Sequence, residues 1–439
     1  MNEILQLKGR FEQKDFGNKP GPSNIPKDKF VSIEHLINLK KDLSKVSAFW
    51  EKEKLLIRPL VSAYYTDVVA KSNRIKGMLE SGSTKNNNSV VGAKFTSGES
   101  KKHIITHCVN QKTIIDSMSN IETVVFIIRN NFGDISEINN NKYNHLFRKK
   151  GEVGISKSRF VNIVVDAYYL EKFGVERDTS DLRENAIITI YDTGTRTADI
   201  MNQLEIEFSD IRSIDETTIL LTPDQYSLLK SKAPYLISMA VSDISLLDKE
   251  DFHKGDDLTI SIPKPSNEPT IGVIDTMFDK NVYFSEWVEF KNVLDDEILL
   301  SDEDYRHGTM VTSIIVDGAS INPELNDGCG RFKARHFGVA TSGRFSSFTV
   351  LRAIKEIVVS NRDIKVWNLS LGSSMEINTN FISPEAAILD KIQYENDVIF
   401  VVAGTNKPMN SNIKRIGAPA DSINSLVVNS VGFDGKPAT

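Results

Sequence analysis

Between residues 271 and 432, short unbroken apolar runs alternate with longer amphipathic segments. The pattern predicts a strand at 271–275, a helix at 307–318, a strand at 336–340 and a helix at 346–359. A strand at 364–371, a helix at 384–396 and strands at 398–404 and 425–432 follow. Runs without polar alternation suit parallel strands buried on both faces, with the helices as crossovers.

A second alternation lies upstream. NAIITIYD, ETTILLT and YLISMAVSDISLL read as strands, and TADIMNQLEI and PDQYSLLKSKAP as helices, the latter with Pro223 at its start. Strand–helix–strand–helix–strand within 185–247 predicts a small ferredoxin-like α+β module. Nearer the N-terminus, Ile33, Leu36, Ile37, Leu43, Val46 and Trp50 recur at three-to-four spacing behind Ser32, a candidate N-cap. Pro59 ends that helix. LVSAYYTDVVA (60–70) and KHIITHCVN read as strands. QKTIIDSMSNIETVVFIIRNN reads as a helix running into a strand or a second helix. Residues 81–101 read as a surface loop, and 133–160 are polar without a clear period. In residues 1–30 only LQLKGRF suggests a strand. The expected organisation is a lead-in (1–30), an N-terminal α+β region (31–180), the ferredoxin-like module (181–250), a linker with three prolines (251–270) and an α/β domain (271–439).

A chain of 439 residues exceeds what one core supports. With 40% hydrophobic and 26% charged residues it is globular in composition. A net charge of −6 gives no electrostatic case for nucleic acid or an anionic membrane. Cys108 and Cys329 are too few for a disulfide framework and are expected to be reduced. MNEILQLKGRFEQKDF lacks the apolar core of a secretory signal, and no run approaches a membrane span. A soluble, cytoplasmic protein is the expectation.

The candidate chemistry lies in the 271–439 region. Asp275 closes the run TIGVID, at the strand end where open α/β sheets place functional groups. His307 follows 32 residues later at the head of HGTMVTSIIV. VWNLSLGS and VIFVVAGTN are two apolar strands ending in Ser/Gly and in Gly-Thr-Asn. A carboxylate that orients a histidine, and a histidine that takes a proton from a serine, form the machinery of a Ser-His-Asp hydrolase.

In this order the motifs resemble a subtilisin-like serine protease of the subtilase family. The resemblance implies a subtilisin-like parallel sheet with flanking helices, peptide-bond hydrolysis and no cofactor. It implies that Asp275 orients His307 and that His307 acts as general base. Leu369, Ser370, Leu371 and Gly372 would pair with an extended peptide substrate. Asn406 would help hold the oxyanion beside Gly404 and Thr405, one place later than the family's Ala-Gly-Asn. Met277 stands where the family has glycine. LLTPDQYSLLKSKAPYLISMAVSD resembles the C-terminal half of subtilase propeptides, which dock on the protease as chaperone and inhibitor. DGCGRF and KVWNLSLGS resemble bacterial cytoplasmic subtilases with a long N-terminal region, encoded beside an AAA-type ATPase and suspected of roles in phage defence. That ATPase is therefore an implied partner.

The family's nucleophile sits in Gly-Thr-Ser-x-Ala. After Asn406 the serines are Ser411, Ser422, Ser425 and Ser430, none in that setting. The expectation is a domain incomplete at its C-terminus, inactive as these 439 residues but active in a longer parent. Helices missing from the sheet would leave apolar surface exposed. A non-catalytic peptide-binding module and an enzyme split over two chains are the rivals. His103, His107 and Cys108 do not make a metal site, because Cys108 points away from the other two on a strand. GEVGISKS lacks the ending of a phosphate loop, and no calcium-loop spacing occurs. The acidic run SDEDY before His307 reads as a solvated loop.

Overall fold

The computed structural model describes residues 5, 25–26, 29–80, 89–132, 135–136, 143–147, 154–209, 212–246, 261–295, 297–323, 326, 328–342, 344–373, 376–404 and 416–429. LQLKGRF apart from Leu5, the first half of the 251–270 linker, Thr405 and Asn406 lie outside them.

The N-terminal unit is built on one amphipathic helix. β1 (Val31–Ser32) leads into α1 (Ile33–Lys52). Ser32 Oγ accepts the His35 N–H at 3.1 Å, so the expected cap forms. Leu36, Leu39, Leu43 and Val46 are buried along one stripe. β2 (Leu60–Tyr65), β3 (Val90–Phe95) and β4 (His103–Cys108) precede α2 (Gln111–Phe132). β5 (Ile135–Ser136) pairs with β1, and α3 (Lys157–Tyr169) runs into β6 (Leu170–Gly174). The sheet is antiparallel in the order β3-β4-β2-β6.

Three local expectations change here. The 81–101 loop contains β3, because its apolar run VVGAKF finds an edge beside β4. Residues 111–132 form one helix whose apolar stripe, Ile114, Ile121, Val124 and Ile128, stays in phase throughout. The 60–70 strand stops at Tyr65.

The second unit comprises β7 (Ala186–Ile190), α4 (Thr197–Gln203), β8 (Thr218–Leu221), α5 (Pro223–Lys232), β9 (Ile237–Ser242) and β10 (Ile244–Leu246). Thr222 and Gln225 form a reciprocal capping box around Pro223 at the start of α5. The sheet is three-stranded and antiparallel, β8-β7-β9. Both of its faces are covered. Ala186, Ile188 and Ile190 join the core of the N-terminal unit, while Ile187 faces the opposite way. A Cβ on Gly92 of β3 would overlap the Tyr191 ring, so the two units meet at backbone distance.

The third unit is a parallel sheet in the order β12-β13-β11-β15-β16-β17. Its strands are β11 (Thr270–Asp275), β12 (Val288–Asn292), β13 (Lys333–Gly338), β15 (Val366–Leu369), β16 (Ile399–Ala403) and β17 (Leu426–Val428). β14 (Arg344–Ser346) lies outside the sheet. α6 (Glu303–Ile321) covers one face, where Val273 and Ala334 meet Val316. α7 (Ser347–Ser360) and α8 (Pro384–Asn396) cover the other, where Ile274, Trp367 and Phe400 meet Leu351, Ile354 and Leu389. The same core takes in Ile187 and Ile214 of the second unit. Neighbouring residues on β11 thus serve opposite cores, as period-two alternation requires.

α6 begins four residues before the expected start, because the acidic run supplies its first turn. β12 was not expected; its residues alternate charged and apolar, as an edge strand does. Among the described residues no helix is long and apolar enough to cross a membrane.

Trp367 is fully buried between Phe337 and Phe400, and a Cβ on Gly272 would sit inside its indole. Gly272→Ala should therefore cost about 1–3 kcal/mol by overpacking. A double variant with Trp367→Phe should lose less than the sum of the two single changes in urea denaturation.

Candidate active site

The C-terminal edge of the parallel sheet gathers the predicted residues. β11 is central, so its last residue, Asp275, is enclosed by β13 and β15, and it is fully buried. His307 sits in the second turn of α6. Its Nδ1–H donates to Asp275 Oδ1 at 2.6 Å, and its side chain is 27% exposed. One edge of the imidazole is thus held by a buried carboxylate while part of the ring reaches the surface.

The carboxylate is fixed asymmetrically. Oδ1 also accepts from Thr276 N at 2.7 Å and from Thr276 Oγ1 at 3.3 Å. Oδ2 has no hydrogen-bond partner among the described residues. Thr276 Oγ1 in turn accepts the Gly308 N–H at 2.9 Å, which ties the strand end to the helix. A Cβ on Gly308 would lie 2.6 Å from Met277 O and 2.7 Å from Thr276 O. The glycine after His307 is therefore a condition of close approach.

Met277, in the place of the family's glycine, is buried and its N–H donates to Asp304 O at 2.9 Å. Its side chain occupies the space above Gly338, where an added Cβ would meet Met277 Cε at 2.5 Å. The bulk introduced at 277 is accommodated by the missing side chain at 338.

Asp304 belongs to the acidic run expected to be a solvated loop. It is 5% exposed, so that reading fails for this residue. Oδ2 accepts from Ser301 N and Oγ at 2.7 and 2.8 Å, and Oδ1 from Ser342 N and Oγ at 2.6 and 2.9 Å. Four donors converge on one carboxylate, and they bind the start of α6 to the segment that leads into β14. Burial pushes the Asp304 carboxyl up, but the Ser301 and Ser342 donors outweigh it and hold it below the usual carboxylate range.

Leu369 ends β15 in register with Ile274, one residue from the dyad's aspartate. It is buried, and so is Leu371. Ser370 Oγ donates to Asn368 Oδ1 at 3.0 Å. A Cβ on Gly372 would meet nothing within 4 Å, so this glycine borders open space. Gly404, at the end of β16, is packed against Asn429 and donates its N–H to Val428 O at 2.9 Å.

The second unit reaches the same end of the domain. β10 pairs antiparallel with β14, Ile244 opposite Ser346 and Leu246 opposite Arg344. Beside it Asp243 is buried at the start of α7, accepting from Phe348 N at 2.8 Å and Ser346 Oγ at 2.7 Å. A carboxylate there satisfies an otherwise unpaired N–H and meets the positive helix end. Lys355 of α7 donates to Ile214 O at 2.6 Å, and Lys391 of α8 pairs with Asp215 at 3.3 Å. The N-terminal unit touches the domain too, through Phe95 N donating to Asn380 O at 2.8 Å.

Among the described residues no group of three or more His, Cys, Asp or Glu could hold a metal ion. His107 is buried in β4 against Ser89 and burial pushes its ring down to about 4, as suits a neutral core histidine. Two cavities, of about 480 and 490 Å³, lie away from the dyad around Tyr191 and Asp215. Asp243 and His336 (below) carry no signal in the sequence, since the side-chain partners that define them lie far along the chain, and Asp304 was misread because half of its donors come from Ser342.

A subtilase-family model matches residues 184–439. The chain belongs to the subtilase family and has that family's serine protease fold, a parallel sheet flanked by helices with antiparallel sheets before it. Solved structures that resemble it include the prenylagaramide maturation protease PagA, at 20% identity over 39% of this chain and 56% of that one, with a TM-score of 0.30. The epidermin leader peptide processing serine protease EpiP from Staphylococcus aureus is 16% identical over 58% of this chain and 71% of that one, with a TM-score of 0.35. MycP1 from Mycobacterium smegmatis is 18% identical over 39% of this chain and 53% of that one, with a TM-score of 0.28. The chain thus spans little more than half of PagA and of MycP1. No curated protein matches it.

The Asp304 network yields a pH test. A carboxyl held low in the folded state stabilises above its unfolded value, and that stability disappears as pH falls through the lower folded value. Asp304→Asn should be less stable than wild type at pH 7, and the difference should close on acidification below about pH 4. Denaturation midpoints across this range would decide it.

Proposed function

We infer that this protein is a serine endopeptidase in which Asp275 orients His307 and His307 is the general base. The observation that carries the reading is the 2.6 Å Asp275–His307 bond at the C-terminal sheet edge, beside Leu369–Gly372. In the reaction a serine hydroxyl attacks the peptide carbonyl while His307 Nε2 takes its proton. Asp275 holds the ring tautomer and stabilises the imidazolium. His307 then returns the proton to the leaving amine, and water releases the acyl group. Asn406 and the nucleophile's own N–H would bind the oxyanion.

The serine is assigned to a Gly-Thr-Ser-x-Ala segment outside residues 1–439, carried by a longer form or by a separate chain. The 439 residues alone are then inactive. The apolar residues on the outermost strand β17 and just before it support this assignment. Ile423, Leu426, Val427 and Val428 are 41–55% exposed, a surface suited to being covered. The second unit is assigned the role of an inhibitor, with β10 paired on β14 at the end of the domain that carries the dyad. The quoted motifs support a cytoplasmic setting beside an AAA-type ATPase in phage defence, testable by co-purification with the product of the neighbouring gene.

A fluorophosphonate probe tests the activity. Labelling of the natural protein, abolished by His307→Ala, is expected; a natural protein that never labels overturns the reading in favour of a peptide-binding module. In the form that reacts with the probe, Asp275→Asn should lower the peptide turnover of the unlabelled enzyme about 10⁴-fold. Asp243→Ala should speed hydrogen exchange in the first turn of α7 and in β14. Unchanged protection there would remove the inhibitor assignment.

A further inference from the structure

His336 lies in β13 with no solvent exposure, beneath the dyad. Its Nε2 is 2.8 Å from Thr276 O, and its Nδ1 is 2.8 Å from Thr312 Oγ1. Thr276 follows Asp275; Thr312 lies on α6 beyond His307 and donates to Gly308 O at 2.7 Å. A Cβ on Gly308 would lie 2.8 Å from His336 Cε1. One ring therefore touches both elements whose separation sets the Asp275–His307 distance.

The carbonyl partner fixes one ring proton, and burial favours the neutral ring. A carbonyl oxygen only accepts, so Nε2 carries a hydrogen and donates to Thr276 O. The single hydroxyl proton of Thr312 is shared between Gly308 O and Nδ1. Phe278 and Phe290 pack around the ring, with centroids 5.6 and 5.5 Å away. The titratable groups near it are Asp275 and His307. Arg335 and Glu289, one residue along β13 and β12, alternate to the other face and pair there at 2.7 Å. Burial holds the His336 ring below the usual histidine range, against the Thr276 carbonyl and Asp275, which favour a proton.

We propose that His336 is a positioning residue for the dyad: as the neutral Nε2–H tautomer it clamps the turn after Asp275 to α6 and so sets the Asp275–His307 hydrogen bond. The proposal rests on the reading of Asp275 and His307 as the catalytic pair. The motive for such a clamp is visible in Asp275 itself. With Oδ2 unpartnered among the described residues, every bond to the carboxylate falls on Oδ1, and the elements carrying those donors must be held from elsewhere.

The test is imidazole ¹⁵N and ¹H NMR on the whole deuterated chain, which needs no peptidase activity. In wild type, His307 should show a low-field Nδ1 proton from its short bond to Asp275. His336→Phe keeps the volume and the aromatic cluster but removes both hydrogen bonds. The low-field proton should then broaden or vanish. His336→Gln, which keeps a donor for Thr276 O, should restore part of it. A folded His336→Phe chain with the wild-type resonance overturns the proposal. Should His336→Phe not fold, Thr312→Val removes only the hydroxyl, and an unchanged His307 in that variant overturns it equally. A wild-type His307 without the low-field proton would instead remove the dyad, and with it the catalytic reading. A shift in His307 in a natural protein that the fluorophosphonate never labels would keep the clamp and sink the peptidase.

Discussion

A fully buried carboxylate at the end of the central strand is the constraint on which this domain depends. Asp275 sits where two parallel neighbours enclose it, so water cannot solvate its charge. Such a group persists only when donors are fixed around it. The donors come from the Thr276 backbone, the Thr276 hydroxyl and His307. Their placement requires α6 to approach the strand closely, which the missing side chain of Gly308 permits. The helix position then dictates the rest: Asp304 fastens its start to Ser342, and His336 fills the wedge behind it.

The layers outside this site follow from burial on two faces. The β8-β7-β9 sheet has apolar residues on both sides, so it is a filling between two bodies. One face meets the N-terminal unit; the other meets α7 and α8. Polar contacts at the rim fix the register of that second contact, with Asp243 on the start of α7 and lysines of α7 and α8 on the 214–215 segment. β10 therefore arrives at β14 as a consequence of packing that begins far from the dyad.

Much of this was legible in the residues. The helix behind Ser32, the helix that starts at Pro223 and α8 from Pro384 depend on neighbours within a few positions, so local pattern predicts them. The alternation of apolar runs from 271 onward announced the parallel sheet. The edge strands β3, β12 and β14 were not legible, because an edge strand needs a partner more than a strong pattern of its own. The acidic run before His307 misled for a related reason. Three of its charged residues look alike, yet Asp304 alone points into the serine donors while Glu303 stays exposed.

By itself the sequence determined the family and the order of Asp275, His307 and the two following strands, since these are written in residue identity and spacing. Only the tertiary structure decided that Asp275 Oδ1 receives His307, that Gly338 makes room for Met277, and that a second histidine at 336 stands behind the pair. Those are relations between groups 24 to 61 positions apart. They exist because packing closes distances that no local preference encodes.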